Sequence, residues 1–339
     1  MSPHIKNLAY AYGMPNVSGK LKQSPSDFIV KEELSFVPSG EGEHLFLYVE
    51  KTNLNTLDVC ERLAKHFNVH PCNIAYAGLK DKNAVTTQWF SIPMPIKAEP
   101  DIKGFNFESI KAIEAVRNNK KLKRGVIKSN YFEIVIRDLY GDLSEIEKRI
   151  NQIKERGVPN YFGVQRFGRN ENNLENAEKL FAGKLKCSRN KKSIYISAAR
   201  SFLFNEVLSQ RVKGDTWNKL LVGDVAILNE SRSYFVVENV DKEISERLHE
   251  ADIHPSAPLW GKGELQSKDE VKDLEESIIK SYAEYSSGLV REGLQLDRRS
   301  TRLIPSELEY TLYENKLLLK FSLPSGTYAT SVLREVVNI

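Results

Sequence analysis

Cysteine is scarce: the chain has three in 339 residues, Cys60, Cys72 and Cys187. An odd number, widely spaced, does not make a disulfide framework, so a reducing compartment is expected. Apolar runs are short. None approaches the ~20 residues that a membrane span needs, and Met1 to Pro15 lacks the basic start and apolar core of a secretion signal. A soluble cytoplasmic protein with no membrane partner is expected. Nucleotide loops are also absent: there is no GxxxxGK[ST] and no GxGxxG after a strand, and Gly261-Lys262-Gly263 is too short to cradle phosphate. Neither a paired CxxC nor a GxSxG occurs. His66 and His70 are four apart, but Pro71 follows His70, so they do not share one helix face; with Cys72 they read as surface residues, not a metal site. The expectation is chemistry with no cofactor and no metal. Net charge is only +4. That is too small by itself to prove a nucleic-acid partner, so the distribution of charge must decide.

What is present is a well-patterned globular chain, 41% hydrophobic and 28% charged. Its length suggests about two domains. The first third alternates strands and helices. Phe28–Val30, His44–Val49, Ile74–Ala77, Trp89–Ile92 and Tyr131–Arg137 read as extended segments. Leu57, Cys60, Leu63, Ala64 and Phe67 recur at helical spacing, with Thr56 as the N-cap. A helix through Leu143, Ile146, Ile150 and Ile153 stops at Gly157. The middle is more helical: Ser197 caps a helix carrying Phe202 and Val207, a hairpin turns over Asn229–Ser233, and an acidic helix runs from Lys268 to Tyr285. Near the end, Leu308–Tyr313 and Leu317–Phe321 are strands, and Thr327 caps a last helix over Ala329–Val337. Two strands and one helix cannot bury a core alone. The tail is therefore expected to dock on the sheet of the first third, giving a domain from residues 1–155 and 304–339 interrupted by an insertion, 156–303.

The densest polar feature between strand-like runs is Gly78-Leu79-Lys80-Asp81-Lys82-Asn83-Ala84-Val85-Thr86-Thr87-Gln88. A carboxylate in a loop held by a rigid sheet can act as a nucleophile. An exposed, solvated turn is the plainer account of a lone KDK. Basic residues cluster at Arg117–Lys128, at Lys184–Lys192 and at Arg298, Arg299 and Arg302, while acids gather at Asp269–Glu276. That segregation suits a phosphate backbone. Aromatic residues beside polar groups occur at Asn130-Tyr131-Phe132, Asn160-Tyr161-Phe162 and Gly326-Thr327-Tyr328. Such rings can stack on unpaired bases, although singly each reads as core.

Taken in order, five blocks of the chain resemble the TruD family of tRNA pseudouridine synthases. They are Lys22-Gln23-Ser24-Pro25-Ser26-Asp27-Phe28-Ile29-Val30-Lys31-Glu32, then Gly40–Leu45, the Gly78–Gln88 loop, Pro159–Gly168 and Leu323–Glu335. The matches run from about residue 20 to 335. The resemblance implies an α+β fold: a pseudouridine-synthase catalytic domain with a mixed, mostly antiparallel sheet, interrupted by an inserted α/β TRUD domain. It implies a tRNA partner, uridine 13 as the target, a flipped-out base and no obligate protein partner. It puts the catalytic aspartate on Asp81 and substrate contacts on Phe28, Asn130 and Tyr328, where the family often has Phe. Lys22 matches a basic residue near that aspartate, and Lys80 is the other candidate to pair with it. Asn130 is preferred over Asn160 because it precedes the strand returning to the sheet. Two other readings compete. A non-catalytic RNA-binding protein would keep the basic face but need no carboxylate at position 81. An RNA methyltransferase would need the Gly-rich cofactor loop that the chain lacks.

Overall fold

The computed structural model describes residues 8–229, 231 and 233–339. Strands β1 (Ser18–Leu21), β2 (Phe28–Leu34) and β3 (His44–Thr52) come first, then helix α1 (Thr56–His66). Strands β4 (Ala75–Tyr76), β5 (Val85–Pro93), β6 (Ile110–Asn118) and β7 (Ile127–Tyr140) follow. The middle holds α2 (Ser144–Arg156), β8 (Val158–Pro159), α3 (Asn172–Phe181), α4 (Arg189–Lys213), β9 (Val225–Leu228) and β10 (Tyr234–Val236). It continues with α5 (Lys242–His249), β11 (Ile253–Leu259), α6 (Asp269–Ser281), α7 (Ala283–Arg291), β12 (Asp297–Ser300) and β13 (Arg302–Leu303). The chain ends with β14 (Ser306–Tyr313), β15 (Lys316–Pro324) and α8 (Ala329–Val336). The fold class is α+β.

Two units result. One takes in Asn16–Glu145 and Pro305–Gly326; the other takes the described residues up to Pro15 with Ile146–Ile304 and Thr327–Asn338. These limits differ from the sequence-based boundaries at 155/156 and 303/304. Strands β14 and β15 do join the sheet of the first third. The residues before Pro15 and helix α8 group with the middle instead. Hydrogen bonding accounts for that: Arg149 donates to the carbonyls of Gly13, Met14 and Glu335, and the Glu335 carboxylate accepts from the amides of Ala11 and Tyr12.

The first unit is one sheet in the order β14-β15-β7-β2-β5-β3-β6, with β1 on β7 and β4 on β5. Only β2 and β5 pair in parallel; the other pairings are antiparallel. Alternation along β3 sorts its side chains. Leu45, Leu47 and Val49 pack with Val59, Leu63 and Ala64 of α1, and Phe46 meets Trp89 in a second cluster. Strand β6 was not anticipated, because its IKAIEAVRN sequence exposes charges and lacks a continuous apolar run.

The second unit is built on α4. Phe202, Leu203, Val207 and Leu208 share a core with Phe167, Leu174, Trp217 and Tyr285. Its sheet runs β10-β9-β11-β12, and β13 pairs with β8. Several caps differ from expectation. Asn55, not Thr56, precedes α1, and its amide donates to Asp58 at 2.9 Å. Helix α4 starts at Arg189 with Ser188 as its cap, nine residues before the predicted cap Ser197; the Ser197 hydroxyl accepts from Arg166 instead. The acidic helix is two helices, broken at Tyr282, whose ψ of 47° leaves the helical range. Tyr328, not Thr327, holds the cap position of α8. In the predicted hairpin turn, Glu230 and Arg232 lie outside the described residues, as do residues 1–7 of the N-terminal reading.

The third basic cluster is structural. Arg298 is buried against Glu275 at 2.7 Å and also donates to the Ser256 carbonyl, while Ser267 donates to the same carboxylate at 2.6 Å. Arg302 donates to His254 Nδ1 at 3.1 Å, and burial holds that imidazole well below its usual range, at about 4. Removing one partner of a buried pair leaves an uncompensated charge, a loss of about 3–5 kcal/mol. Glu275→Ala should therefore lower the denaturant midpoint strongly. Glu275→Leu with Arg298→Met should recover much of that loss, as read from the same unfolding curves.

Candidate active site

The loop between β4 and β5 carries Asp81, and buried polar side chains fix the loop. The Thr56 hydroxyl donates to Gln88 Oε1 at 2.9 Å and accepts from the Lys80 amide at 3.0 Å. Gln88 Nε2 donates to the Gly78 carbonyl at 3.1 Å. Lys51, fully buried on β3, donates to the Leu54 carbonyl at 2.7 Å and to the Asp81 carbonyl at 2.8 Å. The main chain of Asp81 is thus tied to the sheet, while its side chain stays about half exposed.

Two lysines and two carboxylates sort themselves into pairs. Lys22 Nζ lies 2.7 Å from Asp81 Oδ2 and 4.0 Å from the centre of the Phe28 ring. Lys80 Nζ lies 2.9 Å from Glu32 Oε2 and donates to Asn130 Oδ1. Glu32 and Asn130 face each other across the β2–β7 ladder, which puts both within reach of one ammonium. Of the two lysines considered from sequence, Lys22 meets Asp81. Lys80 is only 12% exposed and is held by Glu32 and Asn130. The structure therefore brings together Asp81, Lys22 and Phe28, and joins Lys80 to Asn130.

Two residues of this assembly escaped the sequence reading. Glu32 closes the Lys22–Glu32 block, and alternation along β2 marks it as inward-facing. Lys51 lies beyond the His44–Val49 segment read from sequence, and only the fold shows it buried. Phe28 is 5% exposed, with its ring edge-on to Phe132 at 6.2 Å.

Tyr328 belongs to the other unit. Its hydroxyl accepts from Arg166 Nε at 3.0 Å and Nη2 at 2.6 Å, and its ring meets Phe162 edge-on at 5.9 Å. Asn160 is buried, donates to the Ser300 carbonyl and accepts from Arg299, a scaffolding role. Among the described residues no cluster of ligating side chains gathers for a metal. His66 bonds the Asp101 carbonyl and His70 faces Cys72. No described helix is long and apolar enough to cross a membrane.

Burial holds the Lys51 ammonium well below the usual lysine range, at about 8, with the Asp81 charge opposing that shift. Between about pH 8 and 10 the unfolded chain keeps a proton on this lysine that the folded protein has lost. Stability from this group therefore rises with pH over that window. Lys51→Met should lack this increment. The difference between the two unfolding free energies, measured at pH 7 and pH 9.5, checks it; a constant difference would place the Lys51 titration elsewhere.

The family model described as tRNA pseudouridine synthase D (TruD) matches residues 4–186 and 174–336. The chain is 43% identical over 338 residues to tRNA pseudouridine synthase D of Methylococcus capsulatus, covering 99% of this chain and 96% of that protein. It is 44% identical over 334 residues to the protein of the same name from Aeromonas hydrophila, covering 98% and 95%. A crystal structure assigned to tRNA pseudouridine synthase D from Methanosarcina mazei superposes with a TM-score of 0.76 at 22% identity, covering 98% of this chain and 96% of that one, a likeness of fold. With both units spanned by these matches, the chain belongs to the tRNA pseudouridine synthase D (TruD) family.

Proposed function

We propose that this chain isomerises uridine 13 of tRNA to pseudouridine, with Asp81 as the nucleophile and the target base flipped out of the RNA. The class of enzyme, a tRNA pseudouridine synthase, follows from family membership. The observation that carries the finer reading is the half-exposed Asp81 carboxylate, backbone-anchored by Lys51 and paired with Lys22 at 2.7 Å. In the reaction the C1′–N1 bond breaks, the uracil turns, and a C1′–C5 bond forms. The proton leaving C5 is balanced by one gained at N1. The isomerisation is redox-neutral. Asp81 attacks C1′ or assists glycal formation by taking a ribose proton; both routes need the carboxylate.

The surrounding residues support this assignment. A flipped base costs a few kcal/mol of lost stacking, which contacts in the site must offset. Asn130 Oδ1 faces the Lys80 ammonium, which can only donate. Its amide nitrogen is left to donate to a carbonyl of the base. Phe28 supplies ring surface beside Lys22. The unit containing Asn16–Glu145 and Pro305–Gly326 is the proposed catalytic unit, with the other unit as the TRUD domain. The free cysteines support the cytoplasm as the compartment.

Asp81→Asn keeps the shape and removes the charge. Pseudouridine mapping of tRNA treated with this variant should show no product at position 13, while tRNA binding persists. Turnover by the purified variant would overturn the assignment.

Tyr328 is proposed to offer its ring, not its proton. Tyr328→Phe loses the hydrogen bonds from Arg166 and keeps the ring, so kcat/KM should stay near the wild-type value. Tyr328→Leu should lower it by the ~1–3 kcal/mol of one stacked base, roughly 5- to 150-fold. A folded but inactive Phe variant would assign chemistry to the hydroxyl.

A further inference from the structure

Away from Asp81, the same sheet unit carries a second concavity. It lies between the segment after β2 and the turn joining β6 to β7, with a volume of about 360 Å³ and Phe36, Val37, Leu122, Lys120, Lys121 and Lys123 on its walls. That volume falls within the range of small-ligand sites, which begins at ~300 Å³. The two segments are bonded to each other. Ser35 N donates to the Val126 carbonyl at 2.9 Å and Gly40 N to the Arg117 carbonyl at 3.0 Å. Ser39 N donates to Asn118 Oδ1 at 3.0 Å, the Ser39 hydroxyl accepts from Asn119 N at 3.1 Å, and Asn118 Nδ2 donates to the Lys120 carbonyl at 2.7 Å. At Gly42, where φ is +114°, a Cβ would come within 2.5 Å of the Asn119 Cα, so the segments meet at backbone distance. The groove is built before any ligand arrives.

Its chemistry is of two kinds. Leu122 is buried beneath it, Phe36 is 37% exposed and Val37 is 90% exposed. The Phe36 ring is braced edge-on by Phe46 at 6.3 Å. Beside this apolar patch, Lys120, Lys121 and Lys123 are exposed, and none of them is in an ion pair among the described residues. No acidic residue lines the groove. A flat apolar surface with three unneutralised cations around it complements a nucleobase flanked by phosphates.

We propose that this groove binds an unpaired stretch of RNA, with a base on Phe36 and the neighbouring phosphates on Lys120, Lys121 and Lys123. The proposal rests on the tRNA-modifying reading and extends it: the groove is a second RNA contact on the unit that carries Asp81, reserved for nucleotides outside the duplex. Base stacking gives it a preference for single strands, and the lysines give it salt dependence. Arg117, from the same basic stretch, has no part in it, since its guanidinium is spent on the carbonyls of Met94 and Ala98.

The test is equilibrium binding of a fluorescein-labelled eight-residue oligouridylate to the full chain across a salt series. Single strands lose affinity with a slope of about 0.7 per phosphate contact. Replacing Lys120, Lys121 and Lys123 together by Ala should flatten the slope of log K against log salt by about 2. Phe36→Ala should weaken binding about 5- to 150-fold, the range for one stacked base, and Phe36→Trp should not. Phe36→Leu keeps the contact with Phe46 but not the flat face; it should bind as weakly as the Ala variant, and it decides the matter if the Ala variant does not fold. An unchanged slope, or a folded Leu variant with wild-type affinity, would overturn the proposal. So would competition by polyglutamate as effective as by unlabelled oligouridylate, which would make the groove an acidic-peptide site. Asp81→Asn separates the two readings: oligouridylate binding should be unchanged in that variant, whatever happens to turnover.

Discussion

Glu32 sits on β2 with no exposed side-chain surface, and a carboxylate so placed is costly without a compensating partner. Lys80 meets that need at 2.9 Å. Much of the site follows from this one pairing. Lys80 is adjacent to Asp81 in sequence, yet its ammonium is turned inward toward the sheet. It also donates to the side-chain oxygen of Asn130, which fixes the orientation of that amide. The cation beside Asp81 then has to come from elsewhere in the chain. It comes from Lys22, on the segment that links β1 to β2.

Holding the Asp81 loop still is the work of a second set of buried polar groups. Thr56, Gln88 and Lys51 all have under 2% exposure, and each bonds to the loop or to a residue that does. Such groups are costly to bury without partners. Here they supply donors and acceptors to a loop whose own backbone groups lack a ladder. The gain is preorganisation: a charged group fixed before substrate arrives needs no reorganisation in the transition state. Lys51 carries this furthest, because its ammonium exchanges water for two main-chain carbonyls.

Much of this organisation could be read in the residues. The Gly78–Gln88 loop stands out because its polar run breaks two apolar strands, and the aromatic and branched residues of His44–Val49 and Tyr131–Arg137 mark two strands of the sheet. The two C-terminal strands had to find a sheet, and β15 pairs with β7 along its length. The remainder depended on contacts that a linear pattern does not encode. Arg298, Arg302 and Arg117 looked like a surface for phosphate, but each is spent inside the protein on a carboxylate, an imidazole or carbonyl oxygens. Thr56 looked like a cap because caps and loop anchors use the same hydroxyl. Lys51 and Glu32 could not be recognised, since burial of a charge is decided by which strands flank it. The boundary of the two units was also hidden, because the hydrogen bonds of Arg149 and Glu335 join segments more than 130 residues apart.

Lys22 is the point where these constraints meet. Its φ of +57° is a left-handed conformation that costs a lysine on the order of 1 kcal/mol or more. Its ammonium is divided between the Asp81 carboxylate and the face of Phe28. In the free protein both interactions are modest: the exposed ion pair contributes ~0–1 kcal/mol, and the cation–π contact on the buried Phe28 ring about 0.5–2 kcal/mol. On the proposed reading, a base that takes the place of the ammonium beside Phe28 displaces it at modest cost, and Asp81 is the anchor that remains. On the same reading, RNA covering the site removes water. Two unit charges 4 Å apart attract by ~1 kcal/mol in bulk water and by ~4 kcal/mol at an effective dielectric constant near 20. On the proposed reading, the pair that contributes little to the free protein becomes strong only when substrate is bound, when a fixed, paired carboxylate is what the chemistry requires.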